Sequence, residues 1–407
     1  MTINSYLVLG IDAVLIVSAL GLLVLSIVLF VECIAALFAV PSQVSQDDWQ
    51  NTKVTVLVPA HNEEVVIRST LLEIKSQLQK QHRLVVIADN CHDATAEIAG
   101  AVGATVIERH DLSLIGKGYA LDCGLRFLES EPPDIVIFID ADCKVEQGAI
   151  EQLIQYAIAT KRPVQATYLM SKPSSSNPKA SVSAFAFKVK NLVRPLGLAQ
   201  LKMPCLLTGT GMAFPWSVIS TVDLANGYIV EDMKLGLDLT IAGHIPVFCP
   251  QANVTALLPQ QAQATKSQRT RWEHGHLKSL LSYVPVLLKA SIKQKRLDLL
   301  ISALDMCVPP LSLLVFLWLL LTAVSWVFGV FTALWIPVTF LATAGLFLLI
   351  AILGAWVKFG RTDLPLQELL TVPFYVIWKI PIYLKFLVQP QNKWIRTERD
   401  SVNISKP

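Results

Sequence analysis

From Tyr6 to Val40 the chain is almost entirely apolar, broken by Asp12 and Glu32. A bilayer span needs about 20 residues. This run is short for two spans and a turn, so the pattern predicts one transmembrane helix, about 14–37. A cleaved signal peptide fits poorly, because no basic residue precedes the run and the run is too long. At Lys53 the pattern changes. Short apolar runs now alternate with helical periodicity as far as about residue 278. Val54–Val58, Leu84–Ala88, Thr105–Ile107 and Ile135–Ile139 are rich in β-branched residues, as buried parallel strands are. Helix-like stretches lie between them near 63–79, 94–102 and 117–129. Strand and helix in alternation predict an α/β domain with a right-handed, doubly wound sheet. Ligands bind at the carboxyl ends of such strands. Ser171–Pro178 (SKPSSSNP) is rich in turn formers and reads as a break before a second half.

Long apolar runs return after Arg296. Stretches 308–328 and 335–357 are each long enough to span, and the short connection between them carries no charge. They read as a helical hairpin. Lys293, Lys295 and Arg296 precede it, and Lys358 and Arg361 follow it. By the positive-inside rule both ends face the cytoplasm. The central domain then lies in the cytoplasm and the N-terminus outside. Residues 366–388 are apolar but contain Lys379, Lys385 and two prolines. They read as an interfacial segment, with a basic tail after it. Four regions result: 1–52 with the first span, 53–278 as the catalytic domain, 279–361 with an interfacial stretch and the hairpin, and 362–407.

Composition agrees. The 407 residues are 53% hydrophobic and only 16% charged, against about 25% charged in soluble domains. A disordered, collagenous or fully soluble protein is excluded. The net charge of +3 argues against a basic nucleic-acid binder. The seven cysteines form no paired CxxC pattern, so they read as reduced thiols.

Several short motifs sit where strands should end. Pro59-Ala60-His61-Asn62-Glu63-Glu64 follows the first strand, though alone it reads equally as a plain helix N-terminus. Asp89-Asn90-Cys91-His92-Asp93 ends the second. Asp89 is placed to accept hydrogen bonds from a base or ribose, and Asp93 resembles a helix cap. Cys91-His92 is a weak ligand set for a metal. Gly116-Lys117-Gly118 opens a helix. A lysine there opposes the helix dipole unless an anion sits beside it; the alternative is a solvated lysine. Asp140-Ala141-Asp142 ends the buried run Ile135–Ile139. Residues i and i+2 of a strand share a face, so the two carboxylates aim at one place. A divalent cation would remove their repulsion. Glu231-Asp232 could deprotonate an acceptor hydroxyl or cap the following helix. Gln268-Arg269-Thr270-Arg271-Trp272 offers a bidentate diphosphate partner in Arg271 and a flat face for a sugar in Trp272. A basic stripe at the membrane surface is the alternative.

Together and in this order, VPAHNEE, Asp89, GKGYAL, DAD, Glu231-Asp232 and QRTRW resemble the inverting glycosyltransferases of family 2. The closest likeness is to the membrane-embedded cellulose, hyaluronan, chitin and poly-N-acetylglucosamine synthases. The resemblance spans about 53–277 and implies a GT-A type, Rossmann-like domain flanked by transmembrane helices. It implies that Pro59, Glu63 and Asp89 line a uridine pocket. Lys117 would approach the diphosphate, Asp140 the ribose and metal, and Asp142 the metal itself. Asp232, beside Glu231, would be the base. Gln268, Arg271 and Trp272 would hold the diphosphate and the acceptor end, and Thr208-Gly209-Thr210-Gly211 would lie by the acceptor. A UDP-sugar donor, Mg²⁺ or Mn²⁺, a glycan or lipid-linked acceptor and a lipid bilayer are the implied partners. The implied place is the inner membrane of a bacterium. The sequence departs from the common DGSxD with DNCHD at Asp89–Asp93. Three spans are also fewer than large synthases use for a channel, which leaves a homo-oligomer, an export partner or single-sugar transfer to a lipid open.

Overall fold

A computed structural model describes residues 3–40, 49–171, 178–225, 228, 230–258 and 262–389. The strands are β1 Val54–Ala60, β2 Arg83–Asp89, β3 Thr105–Arg109, β4 Ile135–Phe138, β5 Cys143–Val145, β6 Val164–Ser171, β7 Met212–Pro215 and β8 Val247–Leu257. The helices are α1 Ile3–Leu37, α2 Ile67–Lys75, α3 Thr95–Val102, α4 Lys117–Leu128, α5 Ala149–Thr160, α6 Pro178–Lys188 and α7 Arg194–Gln200. They continue with α8 Trp216–Ile219, α9 Glu231–Ala242, α10 Ala262–Gln294, α11 Leu297–Cys307, α12 Leu311–Thr332, α13 Ile336–Ala355 and α14 Val372–Val388. The chain divides into two compact units. One contains the sheet, within Val40–Ser175 and Lys202–Ser279; the other is helical, within Met1–Ala39, Ser176–Leu201 and Leu280–Gln389.

The sheet unit is an eight-stranded mixed sheet in the order β3-β2-β1-β4-β7-β6-β8-β5. Its first four strands are parallel, as their unbroken apolar runs predict. Val54, Val56–Val58, Val85–Ala88 and Ile135–Phe138 are all buried, so both faces are covered. β7 departs from the parallel expectation and pairs antiparallel with both β4 and β6. A short, mostly buried strand carries no mark of its direction. Phe138 and Phe214 bring this junction together, with ring centroids 5.1 Å apart. From β1 the chain winds outward through β2 and β3, while β4 lies on its other side. Strand order therefore reverses between β1 and β4, the place where such sheets open a crevice.

In the helical unit, α6 and α7 lie within the stretch that reads in sequence as part of the catalytic domain. Most of the SKPSSSNP break lies outside the described residues, as does the basic tail. α7 crosses α1 closely: a Cβ at Gly197 would stand 1.9 Å from the Glu32 carbonyl oxygen. Arg194 then sits between two acids. Its Nε donates to Glu32 Oε2 at 2.6 Å, and its Nη2 donates to Asp305 O at 2.8 Å and Oδ1 at 2.5 Å. α12 and α13 form the expected hairpin, with Trp318 Nε1 donating to Leu341 O at 2.8 Å. Among the described residues, four helices are long and apolar enough to cross a membrane: Tyr6–Leu37, Leu311–Thr332, Ile336–Gly360 and Leu366–Val388. The first begins earlier than the sequence pattern predicts. The last is the segment read as interfacial; by length and composition it too can span. All seven cysteines are free.

Candidate active site

The crevice at the carboxyl ends of β1, β2 and β4 is lined by most of the residues singled out in sequence. Pro59 and Glu63 follow β1, Asp89 ends β2, Lys117 opens α4, Asp140 and Asp142 follow β4, and Gln268 and Arg271 stand on α10. The loops after β1 and β2 are clipped together. Asn62 Oδ1 accepts from His92 N at 2.7 Å, Glu63 N donates to Thr95 Oγ1 at 2.7 Å, and Glu64 Oε2 accepts from Ala94 N at 3.0 Å. Asp93 accepts from both Thr95 N and Glu64 N, so it ties the start of α3 to the first loop. Asn90, at the glycine position of DGSxD, has φ +52°. Asparagine is among the few side chains that adopt this left-handed conformation readily, which accounts for the departure. Its amide also grips Asp111, accepting from Asp111 N at 2.8 Å and donating to Asp111 O at 3.1 Å.

Asp89 is buried, and burial pushes its carboxyl up from the ordinary range even though Arg109 pulls it down. Arg109 Nη1 lies 2.6 Å from Asp89 Oδ1, and its guanidinium stands 5.8 Å from the centre of the Tyr119 ring. Arg109 was missed in sequence. It ends β3, where a charged residue is ordinary, and only the register Asp89↔Arg109 brings it into the site.

Asp140 and Asp142 converge, but not through strand alternation. β4 ends at Phe138, and the two acids lie on a turn in which Cys143 N donates to Asp140 O at 3.2 Å. Donor atoms of Asp140, Asp142 and Cys143 all lie within 4.8 Å of one another. Burial and the adjacent carboxylates hold the Cys143 thiol well above its usual range, so it stays protonated. Two carboxylates remain as donors, a set that fits Mg²⁺ or Mn²⁺ completing its shell with phosphate and water oxygens.

Lys117 Nζ pairs with Asp140 Oδ1 and donates to Gly209 O at 2.6 Å. Burial opposes its charge, but Asp140, Glu231 and Asp232 outweigh this and hold the ammonium above its ordinary range. The loop Thr208–Gly211 is thereby fixed beside the acids. Gly209 has φ +94°, and a Cβ there would stand 3.1 Å from Asp232 Oδ2. The loop is held from below by Gln165, a second residue missed in sequence. Gln165 Oε1 accepts from Thr208 N at 2.9 Å, and its Nε2 donates to Thr210 O at 2.9 Å. Thr210 Oγ1 in turn accepts from Asp140 N at 3.0 Å. A lone glutamine inside the apolar run of β6 was the available signal.

Glu231 and Asp232 form the first turn of α9. Burial and then the Asp232 charge push the Glu231 carboxyl up to about 7, against the pull of Lys117. α10 packs against the residue before them: a Cβ at Gly275 would stand 2.6 Å from Val230 Cγ1. Trp272 lies next to Arg271 on this helix, half-buried, and does not line the crevice.

Residues 51–275 match the family model described as glycosyltransferase like family 2. Among curated relatives, a probable glycosyltransferase of Bacillus subtilis is 26% identical over 272 residues, covering 60% of each chain. The chain thus spans about three fifths of that relative's length. A 4,4'-diaponeurosporenoate glycosyltransferase of Staphylococcus haemolyticus is 36% identical over 107 residues, 25% of this chain and 28% of the relative. Among solved structures, a mannosyltransferase of Pyrobaculum calidifontis in complex with GDP-Man and Mn²⁺ aligns over 93% of this chain and 99% of its own. Its TM-score is 0.55 at 17% identity. At that identity the likeness speaks for the fold, which is GT-A-like with its mixed sheet and apolar flanking helices. With more than half its length matched by the family model, the chain belongs to glycosyltransferase family 2.

Proposed function

We propose that this chain is a membrane-bound, inverting hexosyltransferase that moves a sugar from a UDP-sugar onto a growing cell-surface glycan. The observation that carries this reading is the meeting of Asp140, Asp142, Lys117 and Arg271 in one crevice, with Asp232 beside Gly209, whose carbonyl accepts from Lys117. Asp89 and Arg109 offer an acceptor and a donor side by side, the complement of a nucleobase edge such as that of uracil. Asp140 and Asp142 would hold a divalent cation, which when bound neutralises charge on the departing diphosphate. Lys117 and Arg271 supply fixed positive charge to the same oxygens. Asp232 removes the proton from the acceptor hydroxyl as that oxygen forms its bond to the anomeric carbon. The bond from that carbon to the diphosphate oxygen breaks in the same displacement, so the anomeric centre inverts. The diphosphate leaves with its electron pair, and no general acid is needed. Four helices able to span a bilayer and the basic residues at the hairpin's ends support an integral membrane protein with its sheet unit in the cytoplasm, in a bacterium's inner membrane.

A second reading is transfer of one sugar to a lipid-linked acceptor. The Staphylococcus relative is named a 4,4'-diaponeurosporenoate glycosyltransferase, and the helical unit offers few spans for an export channel. Product size separates the two. The purified chain in nanodiscs is supplied with labelled UDP-sugars, GDP-mannose and membrane extract, with Asp232→Asn as control. A long product supports glycan extension. A single-sugar lipid product replaces that reading with the second, and a GDP-sugar as donor overturns the UDP assignment.

A further inference from the structure

Lys117 does more in this site than stand near a diphosphate. Its ammonium is paired with the carboxylate of Asp140 and donates to Gly209 O at 2.6 Å. Its side chain is mostly buried, 19% exposed. It shares with Arg271 a pocket that gathers Asp140 and Asp142, with Glu231 and Asp232 near the lysine. The oxygen it holds belongs to the same acid whose donors, with those of Asp142, lie within 4.8 Å. An ammonium on that carboxylate and a divalent cation between the two carboxylates repel one another over a few ångströms of buried space. A lysine ammonium sits on a flexible four-carbon stem, so it can turn from one anion to another.

We propose that Lys117 is a displaceable internal counter-ion that makes metal binding and nucleotide binding depend on each other. This rests on the metal and donor assignment proposed above. Without nucleotide, Lys117 neutralises Asp140 and competes with a divalent cation for it. A nucleoside diphosphate brings negative oxygens to which the ammonium can turn, which frees Asp140 for the cation. Coupling of this kind is reciprocal: whatever the nucleotide adds to metal affinity, the metal adds to nucleotide affinity. The lysine is thus a positioning residue whose effect is on binding order, separable from its contribution to turnover. A fixed strut between Asp140 and Gly209 O would behave differently, because removing it would loosen the site for metal and nucleotide alike.

The test uses the full chain in nanodiscs and measures free Mn²⁺ by electron paramagnetic resonance, with and without UDP. In the wild type, UDP should raise Mn²⁺ affinity by about tenfold or more, within the usual range for coupled sites. In Lys117→Gln, Mn²⁺ alone should bind more tightly than in the wild type, and the effect of UDP should shrink to about twofold or less. Lys117→Arg keeps the charge and should keep most of the coupling, which makes it the second variant should the glutamine form fold poorly. Unchanged or weaker binding of Mn²⁺ alone in Lys117→Gln overturns the counter-ion role while leaving the metal assignment intact. Loss of coupling in Lys117→Arg also overturns it. Mn²⁺ binding that survives Asp142→Asn removes the metal assignment itself, and the proposal with it.

Discussion

Both units of this chain bury charged side chains, and they do so in different settings. In the helical unit, Arg194 meets Glu32 and Asp305 through three hydrogen bonds, each 2.5–2.8 Å long. Its guanidinium is spent on those two partners, and the group serves to lock α1, α7 and α11 to one another. In the sheet unit, Lys117 pairs with Asp140 near Asp142, Glu231 and Asp232, and Arg271 lines the same crevice. Burial and then the Asp232 charge push the Glu231 carboxyl up to about 7. Neither set of charges is balanced, since Arg194 faces two acids; they differ in place, one closed among packed helices and the other gathered around a crevice. Breaking a buried pair is costly because it strands a charge.

The comparison is sharpened first at Asp232. Asp232→Asn should lower turnover by about 10²–10⁴-fold, the usual worth of a general base, and leave UDP binding nearly intact. Turnover close to wild type would take Asp232 out of the chemistry. Next, Arg194→Met strands two carboxylates in the helical unit. Stability should fall by about 3–5 kcal/mol, read as a lower melting temperature in detergent, and the triple replacement with Glu32→Gln and Asp305→Asn should recover part of it. A wild-type melting curve for Arg194→Met would mean that the cluster is no lock.

Gln165→Leu leaves Thr208 N and Thr210 O without their partner. A buried unsatisfied pair costs about 1–3 kcal/mol, and turnover should fall with it because the loop that faces Asp232 loosens. Full activity with full stability would show the loop to be held by Lys117 and Asp140 alone. The smallest effect is expected at Glu231. Its carboxyl is raised on folding, so the folded chain favours the proton. The cost to stability is absent below about pH 4.5, grows as pH rises, and is complete above about pH 7. Glu231→Gln should therefore raise the melting temperature of the ligand-free protein at about pH 8 and hardly at all near pH 4.5. A gain of equal size at both values would contradict the assignment.

Much of the crevice was legible in the sequence because buried strands announce their own ends. Asp89 and Asp140 each follow an apolar run, so a sheet of parallel strands puts them on one edge. What escaped depends on distance along the chain. Gln165 acts on Thr208 and Thr210 from 43 and 45 residues away, and Arg109 becomes part of the site only through the register of β2 with β3. Arg194 finds Glu32 from 162 residues away, which no local pattern encodes. α6 and α7 mix lysine, serine and small residues with a few aromatics, so nothing in their composition set them apart from the sheet domain that surrounds them in sequence. Asp140 and Asp142 were singled out for a reason that differs from the structure's: a turn, and not strand alternation, brings them together. The direction of β7 was beyond reach, since a buried strand of four residues reads the same both ways.

The measurement that bears most directly on the acids of the crevice is metal-dependent release of UDP. The purified chain in nanodiscs is given UDP-sugars one at a time, with Mn²⁺ and with chelator, in wild type and Asp142→Asn. Release from one donor that requires Mn²⁺ and is lost in Asp142→Asn is the predicted result. Release that continues in chelator, or that survives Asp142→Asn unchanged, would contradict the claim that these acids are gathered to hold a cation for glycosyl transfer.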